Sequence, residues 1–225
     1  MENAFTRIQG LIGEEAFEKI RNKRIIVFGV GGVGSYAVEA VARTGIKNIT
    51  VVDSDTVSVS NINRQIIALN STLGKIKTSV MKERILDINP EAEVTEMPFF
   101  FDENTADKIN FKEYDFVLDC IDSVNSKVLL IKCAKENNVP IISAMGTGNK
   151  LRPEMLEIAD IKDTSYCPLA RAVRTRLKKE NIYSLKVVYS KEQPVKSKGA
   201  PKSCAFVPSS AGLLMASYVI RELIK

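Results

Sequence analysis

A glycine-rich turn between an apolar run and a helical pattern restricts the folds open to this chain. The apolar run covers residues 24–29, and the turn at residues 29–34 reads Gly-Val-Gly-Gly-Val-Gly. Glycines in this position let the backbone approach a phosphate group at the positive N-terminal end of the following helix. The turn therefore predicts an adenine-nucleotide site built on Gly29, Gly31, Gly32 and Gly34. Tight packing of a strand on a helix, without a ligand, is the alternative.

Strand-like and helical patterns alternate over the first two thirds of the 225 residues. Strands are predicted at residues 24–29, 48–53, 116–121 and 140–145, and helices at 34–44, 75–88 and 124–137. Nearly continuous apolar runs such as ITVV indicate strands that helices cover on both faces. The predicted fold class is α/β, with a doubly wound, Rossmann-like, mainly parallel sheet.

The pattern changes after residue 146, where we expect a C-terminal α+β extension. It consists of a short strand at 155–161, a basic helix opened by Pro168, a strand at 185–190, a polar loop at 191–203 and a final helix opened by Pro208. We treat residues 1–225 as one domain, with a nucleotide-binding part at about 20–150 and a substrate-facing part at about 151–225.

The composition limits which side chains can act in catalysis and indicates the cellular compartment of the protein. The formal charge is only +5, but residues 160–202 contain eleven Lys or Arg against four Asp or Glu. The chain has no histidine, so general acid and base work near neutral pH must use other groups. Its four cysteines form no CxxC pair, and no signal peptide or membrane-length apolar run is present. These features predict a soluble, cytoplasmic protein without a membrane partner.

The second predicted strand ends in a carboxylate, and several polar and cationic residues come soon after this carboxylate in the sequence. Asp53 lies nineteen residues after Gly34, where an acid can accept hydrogen bonds from ribose hydroxyls. An NAD dehydrogenase needs little more than these features. The segment at residues 53–65, DSDTVSVSNINRQ, adds groups that suit a triphosphate better than a nicotinamide.

The ordered motifs of the chain resemble the ThiF/MoeB superfamily, relatives of the ubiquitin-activating enzymes. They are the glycine turn, D-x-D from Asp53, S-N-x-N-R-Q ending at Gln65, G-K-x-K from Gly74 and D-x-x-D from Asp119. The resemblance implies an ATP-dependent, adenylate-forming enzyme of the ligase class that uses magnesium and acts as a homodimer. The residues that it implicates are Asp53 for the ribose, Asn61, Arg64 and Lys77 for the phosphates, Asp122 for Mg²⁺, and Asp55 and Gln65 as further nucleotide contacts.

One further candidate site residue, an N-terminal arginine, lies outside the dinucleotide-binding part. Members of the superfamily donate such an arginine to the ATP of the partner subunit, which makes Arg7 a candidate catalytic residue in a homodimer. Asp119, by contrast, is open to a second interpretation as a turn residue at a strand end.

The chemistry of adenylation independently requires cations. A carboxylate that attacks the α-phosphate of ATP brings two anions together, which costs about 4 kcal/mol at 4 Å and an effective dielectric constant of 20. Arg64 can form paired hydrogen bonds with phosphate oxygens, and Lys77 provides a compact charge. Asp122 can bind a metal that bridges the phosphates.

The cysteines allow two interpretations. Cys167 precedes Pro168 at a predicted helix start, where the helix dipole favours a thiolate, so it is a candidate nucleophile for a thioester or for sulfur. A small, partly buried apolar side chain is the alternative. Cys120 and Cys133 fall in the apolar pattern and are predicted to pack in the core, while Cys204 is unassigned.

Further segments resemble the tRNA threonylcarbamoyladenosine dehydratase family. They are residues 125–127, 163–174, 199–201 and 206–212, and the missing CxxC pairs disfavour the MoeB and ThiF branches. The resemblance implies adenylation of the threonyl carboxylate of N6-threonylcarbamoyladenosine in tRNA, followed by closure to a cyclic ester-like form. The alternatives are an activator of a ubiquitin-like sulfur carrier, with a sulfur-transfer partner protein, an NAD(P) oxidoreductase and a nucleotide-sensing module.

The basic C-terminal region is a candidate tRNA surface. On a helix, Arg171, Arg174 and Lys178 are spaced to share one face, and Lys198 lies in the polar loop that follows. The other interpretation is a solvated basic face without a ligand.

Overall fold

A computed structural model describes residues 3–199 and 201–225 as one sheet with helices on both faces. The strands are β1 (Arg24–Phe28), β2 (Asn48–Val52), β3 (Glu93–Met97), β4 (Phe116–Asp119), β5 (Ile141–Ala144), β6 (Leu156–Asp160) and β7 (Lys186–Ser190). The helices are α1 (Thr6–Ile12), α2 (Glu14–Arg21), α3 (Gly34–Arg43), α4 (Lys77–Ile88), α5 (Val124–Glu136), α6 (Pro168–Lys179) and α7 (Phe206–Leu223).

The strand order confirms the predicted doubly wound class. The seven strands run in the order β3-β2-β1-β4-β5-β7-β6, and all neighbours are parallel except the pair of β6 and β7. The chain moves outward from β1 to β3 and then returns to place β4 on the other side of β1. This reversal opens a crevice at the carboxyl ends of β1 and β4, where doubly wound proteins bind ligands.

The two strands of the C-terminal extension join the same sheet. β7 pairs in parallel with β5, and β6 covers the outer edge of β7 as an antiparallel strand. α6 opens with Pro168 at its first position, as predicted. α7 begins at Phe206, two residues before Pro208, which therefore lies within the first turn and not at its start.

Three elements lie outside the predicted set. β3 reads Glu-Val-Thr-Glu-Met and stands half-exposed at the edge of the sheet, so it lacks the apolar run that marks the central strands. The short helices α1 and α2 precede the first strand. α4 begins at Lys77, two residues later than predicted. The missed elements are short or lie at edges, where burial leaves little apolar pattern.

The core has two layers, one on each face of the sheet. One layer packs α3, α4 and α7 against the strands through residues such as Val38, Met81 and Met215. The other packs α5 and α6 through residues such as Leu130 and Val173. A fully buried side chain of this size stabilises the fold by about 1.5 to 3 kcal/mol. Both faces are thus covered, as the apolar strands predict.

The last helix packs directly on the helix that follows the glycine turn. A Cβ atom on Gly212 of α7 would lie 2.2 Å from the carbonyl oxygen of Val33 and 2.9 Å from the amide nitrogen of Ala37. Only glycine permits this backbone approach between α7 and α3. The C-terminal end of the chain therefore supports the beginning of the nucleotide-binding part.

Residues 3–199 and 201–225 include no helix whose length and apolar character would suit it to cross a membrane.

Candidate active site

The glycine turn is tightly folded between β1 and α3. Gly29 has a φ of +85°, and a Cβ atom there would come within 2.9 Å of the carbonyl oxygen of Cys120. A Cβ atom on Gly34 would lie 1.8 Å from the carbonyl oxygen of Gly29. Gly34, the last residue of the turn, thus packs against Gly29, the first. Gly29, Gly31 and Gly32 line the cavity beside the turn.

A cavity of about 390 Å³ lies at the carboxyl ends of β1, β2 and β4, next to this turn. It brings together most of the residues predicted for the nucleotide site. Those that line it are Gly29, Gly31, Gly32, Asp53, Asp55, Asn61, Arg64, Gln65, Lys77 and Asp122. Segments that are far apart in the sequence thus meet at the point where the strand order reverses, as expected for a ligand site in this fold class.

Asp53 connects the end of β2 to the glycine turn. Its Oδ2 accepts a hydrogen bond from the amide of Val30 at 2.6 Å, and its Oδ1 accepts one from the amide of Asp55 at 2.9 Å. Burial raises the pKa of Asp53, while the charge of Lys77 and the two amide donors act in the opposite direction. The carboxylate therefore both fixes the turn and presents an acceptor in the cavity.

Lys77 is a buried cation at the start of α4. Its Nζ lies 2.8 Å from Oδ2 of Asp55 and 3.9 Å from Oδ1 of Asp53, and only 5% of its side chain is exposed. The Asp55 side chain is 65% exposed, so one partner of the ion pair faces the solvent. Lys77 thus has its charge fixed at the cavity wall, within reach of a second anion.

The segment after β2 contributes three more polar side chains. Oδ1 of Asn61 accepts a hydrogen bond from the amide of Ser58 at 3.1 Å, which leaves its side-chain amide group to face the cavity. Nη1 of Arg64 donates to the carbonyl oxygen of Ser60 at 2.7 Å. Oε1 of Gln65 is buried and has no hydrogen-bond partner in the described structure. A buried acceptor without a partner is costly, and it suits a wall that a polar ligand completes.

Arg64 is a cation without a carboxylate partner. No carboxylate in residues 3–199 and 201–225 lies within 4.0 Å of its guanidinium group, which bonds only to Ser60 and Asn63. Its side chain lies against Gly32, where an added Cβ would come within 3.3 Å of its Cγ. The charge is therefore available to an anion over the glycine turn.

The two acids of the D-x-x-D motif lie in different environments. Asp119 is fully buried, and its Oδ2 bonds to Nζ of Lys127 at 2.8 Å and to the hydroxyl of Ser143. Lys127 also donates to the carbonyl oxygen of Ala144 at 2.9 Å. Asp122 is exposed and lines the cavity. Asp119 therefore stabilises the ends of β4 and β5, and Asp122 alone of the two lines the cavity.

The potential metal site is built on few protein groups. No cluster of three or more His, Cys, Asp or Glu side chains suited to a metal occurs in the described part of the chain. Asp122 is a single carboxylate at the cavity edge. Mg²⁺ is commonly bound by one or two carboxylates together with water and phosphate oxygens, so this donor set fits a metal that arrives with a triphosphate.

Several cavity residues were not predicted from the sequence. They are Phe99, Phe100 and Phe101 after β3, Ser126 on α5, Thr147 after β5 and Ser203 before α7. The run of three phenylalanines was a signal visible in the sequence, and the structure leaves Phe100 half-exposed at the cavity. Ser126 lies in the segment 125–127 that resembles the dehydratase family, whereas Thr147 and Ser203 had no local signal, because only the fold brings them to the cavity.

Arg7 lies outside the cavity of its own chain. It stands exposed on α1, and it does not line the nucleotide cavity. Its predicted role depends on a second subunit.

Cys167 occupies the N-cap position of α6 and is buried. Its Sγ accepts a hydrogen bond from the amide of Ala170 at 3.4 Å. Cys120 and Cys133 are only partly buried against the two core layers, where burial raises the pKa of both thiols, and Cys120 also lines the nucleotide cavity. Sγ of Cys204 lies 3.5 Å from the carbonyl oxygen of Lys150.

The predicted basic stripe on α6 is divided in the structure. Nη1 of Arg174 donates to the carbonyl oxygens of Ile161 and Thr164, both at 3.1 Å, and to the Thr164 hydroxyl at 2.8 Å. Half-buried Arg174 thus fixes the turn before α6, while Arg171, Lys178 and Lys198 are exposed. The prediction that Arg171, Arg174 and Lys178 together form a basic face for tRNA is therefore corrected. Arg174 is bonded to its own chain, and only Arg171 and Lys178 have free side chains.

The doubly wound sheet and its glycine-lined cavity at the strand reversal define a nucleotide-binding α/β protein. Comparisons with known proteins make this more specific. The ThiF family model matches residues 5–225. A tRNA threonylcarbamoyladenosine dehydratase of Bacillus subtilis is 41% identical, in an alignment that covers 100% of this chain and 96% of that protein. The chain belongs to the ThiF family, on the branch of the tRNA threonylcarbamoyladenosine dehydratases.

Solved structures agree with this assignment. The E. coli tRNA N6-threonylcarbamoyladenosine dehydratase in complex with AMP has a TM-score of 0.93 and 34% identity, with 98% of this chain and 94% of that chain covered. The same E. coli enzyme in complex with ATP gives a TM-score of 0.91 over 98% of this chain and 93% of that chain.

Proposed function

We propose that this protein is an ATP-dependent tRNA threonylcarbamoyladenosine dehydratase. It adenylates the threonyl carboxylate of N6-threonylcarbamoyladenosine in tRNA and then closes it into a cyclic ester-like form. The observation that carries the proposal is one cavity holding the glycine turn, Arg64, Lys77 and Asp122, in a chain 41% identical over its full length to such an enzyme. The free cysteines, Cys120, Cys133, Cys167 and Cys204, suit the reducing cytoplasm in which we place the protein.

The cavity supplies what binding of ATP requires. The amides of the glycine turn at the start of α3 face an anion, and the carboxylate of Asp53 accepts hydrogen bonds from ribose hydroxyls. Phe99 and Phe100 supply an apolar wall for the base, and the side chains of Asn61 and Gln65 add polar contacts.

The cations of the cavity lower the barrier to adenylation. The threonyl carboxylate attacks the α-phosphorus atom, a new C–O–P linkage forms, and pyrophosphate leaves with the electrons of the broken P–O bond. Arg64 and Lys77 offset the repulsion between the two anions and stabilise the charge that develops in the transition state. One such donor contributes on the order of 3 to 4 kcal/mol.

Asp122 is the residue that would hold Mg²⁺. The metal supplies charge neutralisation on the phosphate oxygens and the leaving pyrophosphate. Asp122 lines the cavity two residues before α5, after β4, which is the neighbour of the strand that leads into the glycine turn.

Cyclisation needs no nucleophile from the protein. The carbamoyl oxygen attacks the adenylated carbonyl carbon, AMP leaves with the electrons of the broken C–O bond, and a carbamoyl N–H proton is released to water. Both reacting groups belong to one nucleoside, which gives the step a large effective molarity. The N-cap hydrogen bond of Cys167 gives that residue a structural role that does not depend on sulfur chemistry.

We further propose a homodimer in which Arg7 reaches the ATP of the partner subunit. The segment between β2 and α4 carries five exposed apolar side chains, which are Val59, Ile62, Leu69, Leu73 and Ile76. Exposed apolar residues concentrated in one segment indicate a surface that another chain covers. The exposed position of Arg7 on α1 suits donation to a neighbour.

The basic C-terminal part is proposed to contact tRNA. Arg171, Lys178 and Lys198 are exposed cations of this region, and Arg174 supports the turn beside them. Contacts of this kind contribute affinity that falls with salt.

An ATP–pyrophosphate exchange assay tests the function. Modified tRNA should stimulate exchange and yield the cyclic product, while unmodified tRNA should not. Stimulation by a ubiquitin-like carrier protein instead would favour a sulfur-carrier activator with a sulfur-transfer partner. Calorimetric titration with NAD and with ATP and Mg²⁺ decides the cofactor, and tight binding of NAD alone would contradict the proposal.

A further inference from the structure

A second, larger cavity lies between α6 and the segment at residues 193–196. Its volume is about 850 Å³, and we call it the α6 groove. The residues of the groove that bear on a ligand are Tyr166, Arg171, Thr175, Arg176, Lys179 and Lys196. Arg171 and Arg174 of the stripe predicted from the sequence also line the groove, whereas Lys178 does not.

The groove is positively charged and its cations lack acidic partners. No Asp or Glu lines it, and among the described residues no carboxylate lies within 4.0 Å of the side chains of Arg171, Arg176, Lys179 or Lys196. Lysines nearby on the molecule do pair, such as Lys132 with Glu180 at 2.9 Å. Like charges around one groove repel each other, and a bound polyanion would relieve that repulsion.

An aromatic ring stands at the edge of this charged groove. The side chain of Tyr166 is 64% exposed, and its backbone has a φ of +52°, a conformation that non-glycine residues rarely adopt. The turn is fixed on both sides of Tyr166, by the bonds of Arg174 to Thr164 and by the N-cap bond of Cys167 to Ala170. The fold therefore holds a large apolar ring in solvent beside four cations.

Two contacts connect the groove to the nucleotide cavity. Cys167 packs against Gly146, where an added Cβ would come within 3.3 Å of its Sγ, and the next residue, Thr147, lines the nucleotide cavity. The guanidinium group of Arg176 bonds to the side-chain oxygen of Asn125, three residues after Asp122. The groove therefore adjoins the nucleotide cavity on the side of Thr147 and Asp122.

We propose that the α6 groove binds the unpaired nucleotides that flank the modified adenosine of the tRNA. Tyr166 stacks on a base, and Arg171, Lys179 and Lys196 contact phosphates. This inference rests on the proposed function and adds the place and the residues of substrate recognition. Unpaired RNA is favoured over an acidic protein tail because an exposed ring offers a base a flat surface, and bases with phosphates use both features of the groove.

The first arm of the test compares two tyrosines of nearly equal exposure. Tyr166→Ala should weaken binding of modified tRNA and raise its KM about tenfold, since a stacked base is worth about that much, with ATP affinity unchanged. Tyr166→Phe keeps the ring and should stay within about twofold of wild type. Tyr183→Ala removes an aromatic ring that is 62% exposed outside the groove, and it should bind tRNA as wild type does.

The second arm compares two triple variants with the same loss of charge. Combining Arg171→Ala, Lys179→Ala and Lys196→Ala should reduce the slope of log affinity against log salt by roughly 2 to 3. Combining Lys19→Ala, Lys112→Ala and Lys135→Ala removes three exposed cations far from the groove in sequence, and the slope should change by less than about 1.

The outcomes separate this inference from the proposed function. If wild type dehydrates modified tRNA but the groove variants match their controls, the groove does not bind the substrate and the inference is overturned. If wild type neither binds tRNA nor forms the cyclic product, the proposed function fails first. Stimulation of wild type by a carrier protein whose KM rises in Tyr166→Ala would assign the groove to a protein and would also overturn the inference.

Discussion

Asp119 and Asp122 lie three residues apart, yet the fold gives them opposite environments. Asp119 is buried and paired with Lys127, whereas Asp122 is exposed at the nucleotide cavity. A buried carboxylate that loses its partner is strongly destabilising, while an exposed one is free to bind a metal. Mutations at the two positions should therefore affect different measurable properties.

Asp122→Asn should lower turnover about a hundredfold or more and leave the melting temperature nearly unchanged, because only the metal contact is lost. Lys127→Met should instead destabilise the protein by about 3 to 5 kcal/mol, since it leaves Asp119 buried without a counterion. Thermal unfolding and the rate of cyclic product formation measure the two effects. Equal losses of stability in both variants would contradict this division.

The cations of the cavity should each be needed for catalysis. We expect Lys77→Ala and Arg64→Ala to lower kcat/KM about a hundredfold or more, since each removes a donor that faces the developing charge. Lys112→Ala removes an exposed lysine that does not line the cavity and serves as the control. Near-normal rates for both cavity variants would refute their assigned roles.

Asp53 should make ATP affinity sensitive to acid at a higher pH than an ordinary aspartate would. Its pKa is raised above 3.8 by burial, so the charged acceptor for the ribose is lost as the pH falls through that raised value. ATP affinity should then decrease by about tenfold per pH unit. Titration calorimetry across a pH series measures this, and Asp53→Asn should bind weakly with no such slope.

The raised pKa of Asp53 also affects stability, in the direction opposite to its effect on ATP affinity. The native state binds the proton of Asp53 more tightly than the unfolded chain does. Its contribution to the free energy of unfolding is therefore present below about 3.8 and is lost as the pH rises through the native pKa. The difference in unfolding free energy between wild type and Asp53→Asn should follow that direction, and a constant difference would contradict it.

The sequence predicted the residues that line the cavity better than it predicted the partners of buried side chains. Arg64, Lys77 and Asp122 belong to motifs with fixed spacing, and all three line the cavity. Lys127 and Ser143 were not assigned, because their contacts with Asp119 span 8 and 24 residues and depend on the neighbouring positions of β4 and β5. Side-chain partners across a sheet carry no local signal in a single sequence.

At the level of elements, the sequence pattern predicted the strands that helices cover on both faces. The four predicted central strands are present. The edge strand β3 was missed, because its partly exposed polar side chains break the apolar pattern. The sequence predicted the basic helix α6, but not which side of that helix is buried and which is exposed. Burial of Val173 and Leu177, together with the bonds of Arg174, fixes which face remains free.

Cys167→Ser should retain most activity. Serine is a strong N-cap residue, so its hydroxyl can replace the Sγ that accepts the amide of Ala170. Cys167→Ala removes the cap and should cost about 1 kcal/mol of stability. Denaturant unfolding and the dehydration rate test both variants, and loss of activity in a folded Cys167→Ser protein would indicate a chemical role for the thiol.

At the scale of the whole molecule, the proposed catalytic assembly needs two chains. Mixed Arg7→Ala and Asp122→Ala subunits should recover about a quarter of wild-type activity, because half the dimers are mixed and each has one complete site. Subunit exchange is confirmed by tagging each chain, and dehydration is then measured. A silent mixture with confirmed exchange would show that Arg7 does not act across the interface.

The packing of α7 on α3 through Gly212 has a consequence for the order in which the protein becomes competent during synthesis. The ribosome makes the glycine turn, at residues 29–34, well before it makes the helix that rests on the turn, at Phe206–Leu223. Until that helix emerges, α3 lacks one of its neighbours and part of the core stays open to water. A nascent chain therefore contains the whole nucleotide motif long before it can hold a nucleotide, and chains released early by the ribosome should not sequester ATP.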